Sequence, residues 1–267
     1  MPTVPYWHVD AFAERPFAGN QAAVMVLDAW PDDATLLAIA AENLFAETAF
    51  LLGDASGEAE WELRWFSPAC EIALCGHATL ASGHAMLARD GGERVRFRTR
   101  KAGVLEVRRD GTGYALALPA IHAEPGERSE AVPLLGRAQP SRSWRHPDGY
   151  TVLLYADAAE VAALAPDFRA LAALSGHAFE QFICTAPGTA SDVVSRVFVP
   201  GAGVDEDSVT GSAHAVLTPL WCERLGRDRF SAVQASARGG TLTCRLDGET
   251  AWLGGPCVTV VEGRFSF

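Results

Sequence analysis

The sequence predicts an α+β protein of two similar lobes, and three observations carry that prediction. Arg64-Trp65-Phe66-Ser67-Pro68 leads into Cys75-Gly76-His77-Ala78, and Arg196-Val197-Phe198-Val199-Pro200 leads into Thr210-Gly211-Ser212-Ala213. The two arginines stand 132 positions apart and the two glycines 135, close to half of the 267-residue chain. The helical-looking stretch Leu36 to Phe50, with Glu47 near its end, is echoed 133 positions later by Phe168 to Ile183 with Glu180. A duplicated lobe explains all three, and two similar lobes imply a cleft between them.

Each element follows from local pattern. Val4 to Asp10 reads as a strand, Pro16 to Asn20 as a loop and Ala22 to Leu27 as an apolar segment. Asp32 or Asp33 can cap the helix that follows, where Leu36, Leu37, Ile39, Ala40 and Leu44 recur near helical spacing. Thr48 to Leu52 and Trp61 to Phe66 are strands around a turn at Gly53 to Gly57. Gly76 opens the next helix, and Ala78 to Ala88 has almost no polar face, which predicts burial. Val95 to Thr99, Leu105 to Arg108 and Tyr114 to Leu118 alternate as an antiparallel meander would. Ala120 to Pro147 carries four prolines and reads as the linker, so the lobes are expected at 1–119 and 120–267, with the last strand able to return to the first lobe. The second half repeats the order, with a strand at Thr151 to Tyr155, a helix at Pro166 to Leu174 and strands at Phe182 to Thr185 and Ser195 to Val199. A helix from Gly211 to Leu225 and strands near Val233, at Leu242 to Leu246 and at Val258 to Val261 complete it.

Composition excludes several classes. With 33 acidic against 22 basic side chains, the net charge of −11 repels phosphate backbones and leaves no footprint for nucleic acid. No stretch approaches 18 uninterrupted apolar residues, and no basic leader precedes an apolar core, so a soluble cytoplasmic protein without a membrane partner is expected. The six cysteines lack the spacing of a disulfide scaffold, and reduced thiols are expected, with Cys70 and Cys75 able to approach each other. A small-molecule partner fits best.

The chemistry concentrates at the two glycine-started helices. A glycine at a strand-to-helix junction lets backbone approach a ligand, and the first helical turn presents amide donors and a positive dipole end to an anion. Gly76 and Gly211 also fit plain tight turns, but recurrence in both halves favours function. His77 sits in the first junction, where the dipole disfavours its protonation. Asp207, Ser212 and His214 surround the second, and Asp207 within Asp205-Glu206-Asp207 also fits a helix cap. His84, farther along an apolar helix, reads as a structural histidine. Glu47, read as ending a helix against Ala49-Phe50-Leu51-Leu52, would lose hydration and gain a raised pKa suited to proton transfer, although a glutamate at a helix end also fits plain exposure.

Val9-Asp10-Ala11-Phe12, Pro16-Phe17-Ala18-Gly19-Asn20, Ala46-Glu47-Thr48-Ala49-Phe50, Cys75-Gly76-His77-Ala78-Thr79 and the run from Glu206 to His214 together resemble the PhzF-like phenazine-biosynthesis family, nearly end to end. The resemblance implies the diaminopimelate-epimerase-like fold, two pseudo-symmetric lobes that each wrap a mostly antiparallel sheet around a central helix. It also implies a cofactor-free, metal-free isomerase of a small carboxylated metabolite, cyclic in the family's best-understood case, trans-2,3-dihydro-3-hydroxyanthranilate. Carried over, Glu47 moves the proton, His77 and Asp207 orient the substrate's amino or hydroxyl group, and Ser212 with the amides of Gly76 and Gly211 holds its carboxylate. A homodimer is implied as well. Two positions depart from many relatives, Ala46 in place of serine and Ser208 in place of proline.

Three other readings differ in what they require. A two-base racemase of the same fold needs a second thiol opposite Cys75, and the repeat offset puts Thr210 there. A zinc site would use Cys75, His77 and His84. A non-catalytic protein would hold a carboxylated metabolite without changing it.

Overall fold

The computed structural model describes residues 1–176 and 179–267. The chain forms two compact units, one of residues 1–118 with 253–267, the other of 119–252. Among the described residues no helix is long and apolar enough to cross a membrane.

In the first unit β1 (Thr3–Ala11) pairs antiparallel with β2 (Asn20–Val26). α1 (Asp33–Asn43) follows, its first turn capped by the Asp32 carboxylate accepting from Thr35 N at 2.8 Å. β3 (Glu47–Gly53) lies parallel to β2 and antiparallel to β4 (Trp61–Phe66), which also pairs with the short β5 (Glu71–Ile72). α2 (Gly76–Asp90) then crosses to β6 (Arg94–Thr99), parallel to β4, and the meander continues through β7 (Val104–Asp110) and β8 (Gly113–Pro119). In β8 the chain passes to the second unit.

There β9 (Glu124–Pro125), α3 (Val132–Leu135) and β10 (Arg142–His146) precede β11 (Tyr150–Leu154). Next come α4 (Ala158–Ala162), α5 (Phe168–Leu174), β12 (Gln181–Pro187), β13 (Val193–Val199) and β14 (Val204–Asp207). α6 (Gly211–Leu225), β15 (Arg229–Gln234), β16 (Gly240–Asp247) and β17 (Thr250–Gly255) complete the unit. The pairings match the first unit step by step: β10 with β11 antiparallel, β11 with β12 parallel, β12 with β13 and β13 with β14 antiparallel, β13 with β15 parallel. The chain returns in β17, and β18 (Cys257–Ser266) pairs antiparallel with β1. The fold is α+β and diaminopimelate-epimerase-like, as expected.

The core of the first unit explains why α2 looks apolar all round. It packs against β1, β2, β3, β6, β7 and β18, and everything from Gly76 to Gly83 is buried. Leu80, Met86 and Leu87 each contribute about 1.5–3 kcal/mol of transfer free energy there. Small residues let the strands close in, and at Gly83 an added Cβ would meet Val107 Cγ1 at 2.3 Å. The buried hydroxyls of Thr79 and Ser82 donate to the carbonyls of Cys75 and Ala78 one turn back, so neither hydroxyl is stranded.

Two expectations are corrected, and a third falls partly outside the described residues. The proline-rich stretch is structured: Pro133 sits in the first turn of α3, where a missing N–H costs nothing, and Ala131 and Leu135 join the core. Glu47 opens a strand instead of ending a helix. Leu44 takes a left-handed conformation (φ 55°) that stops α1, and Thr48 to Leu52 then favours extended backbone. The echo of that stretch in the second half includes His177 and Ala178, which lie outside the described residues.

Candidate functional site

Strand register brings the first-unit residues together. Ala22 stands opposite Glu47 in the parallel pair of β2 and β3, and Asn20 lies two residues before Ala22 on the same face. His77 is the second residue of α2, which packs on these strands. The result is a line of three polar side chains. Asn20 Nδ2 donates to His77 Nδ1 at 3.0 Å, and His77 Nε2 lies 3.2 Å from Glu47 Oε2.

An amide N–H directed at Nδ1 needs a lone pair there, an arrangement that puts the ring proton on Nε2, facing the carboxylate. Asn20 and His77 are buried at 3% and 4% exposure, whereas the Glu47 side chain keeps 18% and so remains reachable by a ligand. His77 Nε2 is close to Glu47 but off the hydrogen-bonding direction, and it makes no aligned hydrogen bond among the described residues.

The loop before Asn20 is built for this delivery. The buried Asp10 carboxylate accepts from Phe17 N at 2.8 Å, and Phe12 and Phe17 hold positive φ. Gly19 also has φ +63°, and a Cβ there would meet Ala11 O at 2.1 Å.

The second unit carries the corresponding helix start. Gly211 begins α6, and neither its N-cap Thr210 nor Cys75, the N-cap of α2, caps its helix with its side chain. Thr210 Oγ1 instead donates to Asp207 Oδ2 at 2.6 Å. Gln234 braces the turn, accepting from Thr210 N and donating to Asp207 O, both at 2.8 Å. Ser212 is partly exposed and accepts from Gln181 Nε2 at 2.9 Å.

The repeated arginines hold the strands that lead to these sites. Arg64 forms a two-pronged pair with Glu71 (2.7 and 2.9 Å) and lies 4.9 Å over Phe66. Arg196 does the same with Glu206 (2.7 and 2.9 Å) and Phe198 (4.9 Å). The first clamp ties β4 to β5 ahead of Gly76; the second ties β13 to β14 at Asp207.

A model of the family described as phenazine biosynthesis-like protein matches residues 9–263. The chain belongs to that family. An uncharacterized isomerase of Pseudomonas aeruginosa is 45% identical to this phenazine biosynthesis-like chain over 262 residues, 97% of each. The human phenazine biosynthesis-like domain-containing protein is 34% identical over 98% of this chain and 99% of its own. A crystal structure of a PhzF-family phenazine biosynthesis protein from Enterococcus faecalis aligns over 100% of both chains, with 38% identity and a TM-score of 0.90.

Within this family member, several other polar residues prove structural. His214 is fully buried, its Nδ1 donates to Thr210 O at 2.8 Å, and burial lowers its pKa to about 4. His84 Nε2 lies 2.8 Å from Thr259 Oγ1, with its pKa lowered by burial and then by Arg109. It does not join Cys75 and His77. Among the described residues, the three groups whose ligand atoms lie within 4.8 Å of one another are Glu47, Cys75 and His77. No disulfide forms among the described residues.

Glu180 is not the counterpart of Glu47. Phe50 stands opposite Arg64, and Cys184 opposite Arg196, so the strand offset is 134 and Glu47 maps onto Gln181. Glu180 is buried and bound by Arg128 (3.1 and 3.2 Å), Thr151 Oγ1 and Gly176 N. Sequence reasoning also left out Asn20 as a site residue. The signal was present, since Gly19-Asn20 closes one of the family strings, but only strand register shows that Asn20 reaches His77.

Proposed function

We propose that this isomerase moves a proton within a small carboxylated metabolite, with Glu47 as the group that takes the proton from one carbon and returns it to another. One observation carries the reading: a reachable carboxylate 3.2 Å from a buried imidazole Nε2, with the Asn20 side-chain amide 3.0 Å from the other ring nitrogen. Proton removal beside an activating group leaves negative charge on the substrate. A preoriented Nε2–H is suited to meet that charge. The same carboxyl group then gives the proton back, so charge and protons balance and the scheme uses no cofactor. By the family resemblance, Asp207 orients the amino or hydroxyl group, and Ser212 with the amides of Gly76 and Gly211 receives the carboxylate.

What weighs against the two-base alternative is its second base. The counterpart of the N-cap Cys75 is the N-cap Thr210, a hydroxyl already given to Asp207. Deuterium incorporation followed by NMR in heavy water tests the proposal, using dihydro-hydroxyanthranilate and a panel of amino and hydroxy acids. Exchange or isomerisation should occur with the wild type and with Cys75→Ala and disappear with Glu47→Gln. Exchange that survives Glu47→Gln but not Cys75→Ala would overturn the assignment.

A further inference from the structure

The two helix starts share one geometry with different chemistry. In the first unit Glu47 faces His77; at the corresponding positions of the second, Gln181 faces Ser212, 2.9 Å from amide nitrogen to hydroxyl oxygen. Gln181 has the shape of a glutamate without its charge or basicity. A hydroxyl has one hydrogen and two lone pairs, and the Gln181 N–H occupies one of those lone pairs. Tyr150, opposite Gln181 in the parallel pair of β11 and β12, brings its hydroxyl to the same serine, and burial raises its pKa so that the phenol stays protonated. The other end of the glutamine amide, Oε1, is buried without a partner among the described residues. A side chain that leaves a buried acceptor unsatisfied while gripping one serine is not placed for stability.

We infer that Gln181 is a positioning residue that sets Ser212 as a hydrogen-bond donor, so that the second-unit helix start selects an anionic acceptor, a carboxylate, over a neutral amide of the same shape. The inference rests on the assignment of Ser212 to the substrate carboxylate and adds the residue that enforces it. A glutamate at position 181 would accept the Ser212 hydrogen and bring negative charge towards the ligand, reversing both preferences.

Calorimetric binding of anthranilate and anthranilamide, which differ in that one group, tests this with wild type, Gln181→Glu, Gln181→Met and Ser212→Ala, each checked by thermal melting. The wild type should favour anthranilate. Gln181→Glu should weaken anthranilate at least ~10-fold, as expected for loss of a charge-assisted hydrogen bond, while anthranilamide changes less than ~3-fold. Gln181→Met, which adds no charge, should erase most of the preference. Equal losses for both ligands, or a preference intact in both Gln181 variants while Ser212→Ala abolishes it, would overturn the role of Gln181. A preference that survives Ser212→Ala, or none in the wild type, would instead remove the carboxylate assignment beneath it, and the inference with it.

Discussion

Asn20→Ala probes the step on which the proton-transfer proposal depends, the placement of the imidazole proton on Nε2. The Asn20–His77 hydrogen bond is 3.0 Å long between side chains exposed by 3% and 4%. Removing one partner of such a bond leaves the other buried and unsatisfied, at a cost of about 1–3 kcal/mol. If that cost falls on the transition state, kcat/KM drops by a factor of about 5 to 150. Asn20→Asp should be worse, because a carboxylate accepts from Nδ1–H and draws the proton away from the face of Glu47. Two-bond proton–nitrogen NMR of histidine-labelled protein reads the tautomer directly, with the His77 signals among the seven histidines assigned through a His77→Gln variant. The wild type should show the proton on Nε2, and Asn20→Asp should shift it towards Nδ1. A wild-type ring protonated on Nδ1, or an Asn20→Ala enzyme with unchanged kcat/KM, would refute the reasoning.

Other residues give independent expectations. His214 has a folded pKa of about 4 against an ordinary 6.5, so between these values the unfolded chain binds more protons and stability falls as the pH falls. The loss is about 3 kcal/mol at most, and denaturant titrations across pH 7 to 4 should show a shallower slope for His214→Asn. Arg128→Met leaves Glu180 buried without its cation and should cost about 3–5 kcal/mol in unfolding free energy, with proton exchange per folded molecule unchanged. Gly83→Ala drives a methyl into Val107 and should cost about 1–3 kcal/mol by chemical denaturation, with unchanged substrate binding in the folded fraction.

The sequence by itself determined the duplicated architecture, most of the strands and the start of both long helices. These are properties of local pattern. Period-two and period-3.6 hydrophobicity, an Asp cap and a glycine junction act over a few residues, and the repeat exposes itself through its own spacing. The family strings also singled out Glu47, His77, Asp207 and Ser212. What local pattern could not carry was which residue stands opposite which. Glu180 resembled a second Glu47 in the linear comparison because a shift of one residue is invisible there, yet in a strand that shift turns a side chain to the other face. Pairing across β12 and β13 makes Gln181 the counterpart and leaves Glu180 with Arg128. Asn20 likewise reaches His77 only because β2 and β3 are parallel with Ala22 opposite Glu47. Register, and with it the partners of His77, comes from hydrogen bonds between distant segments, and only the tertiary structure decides those.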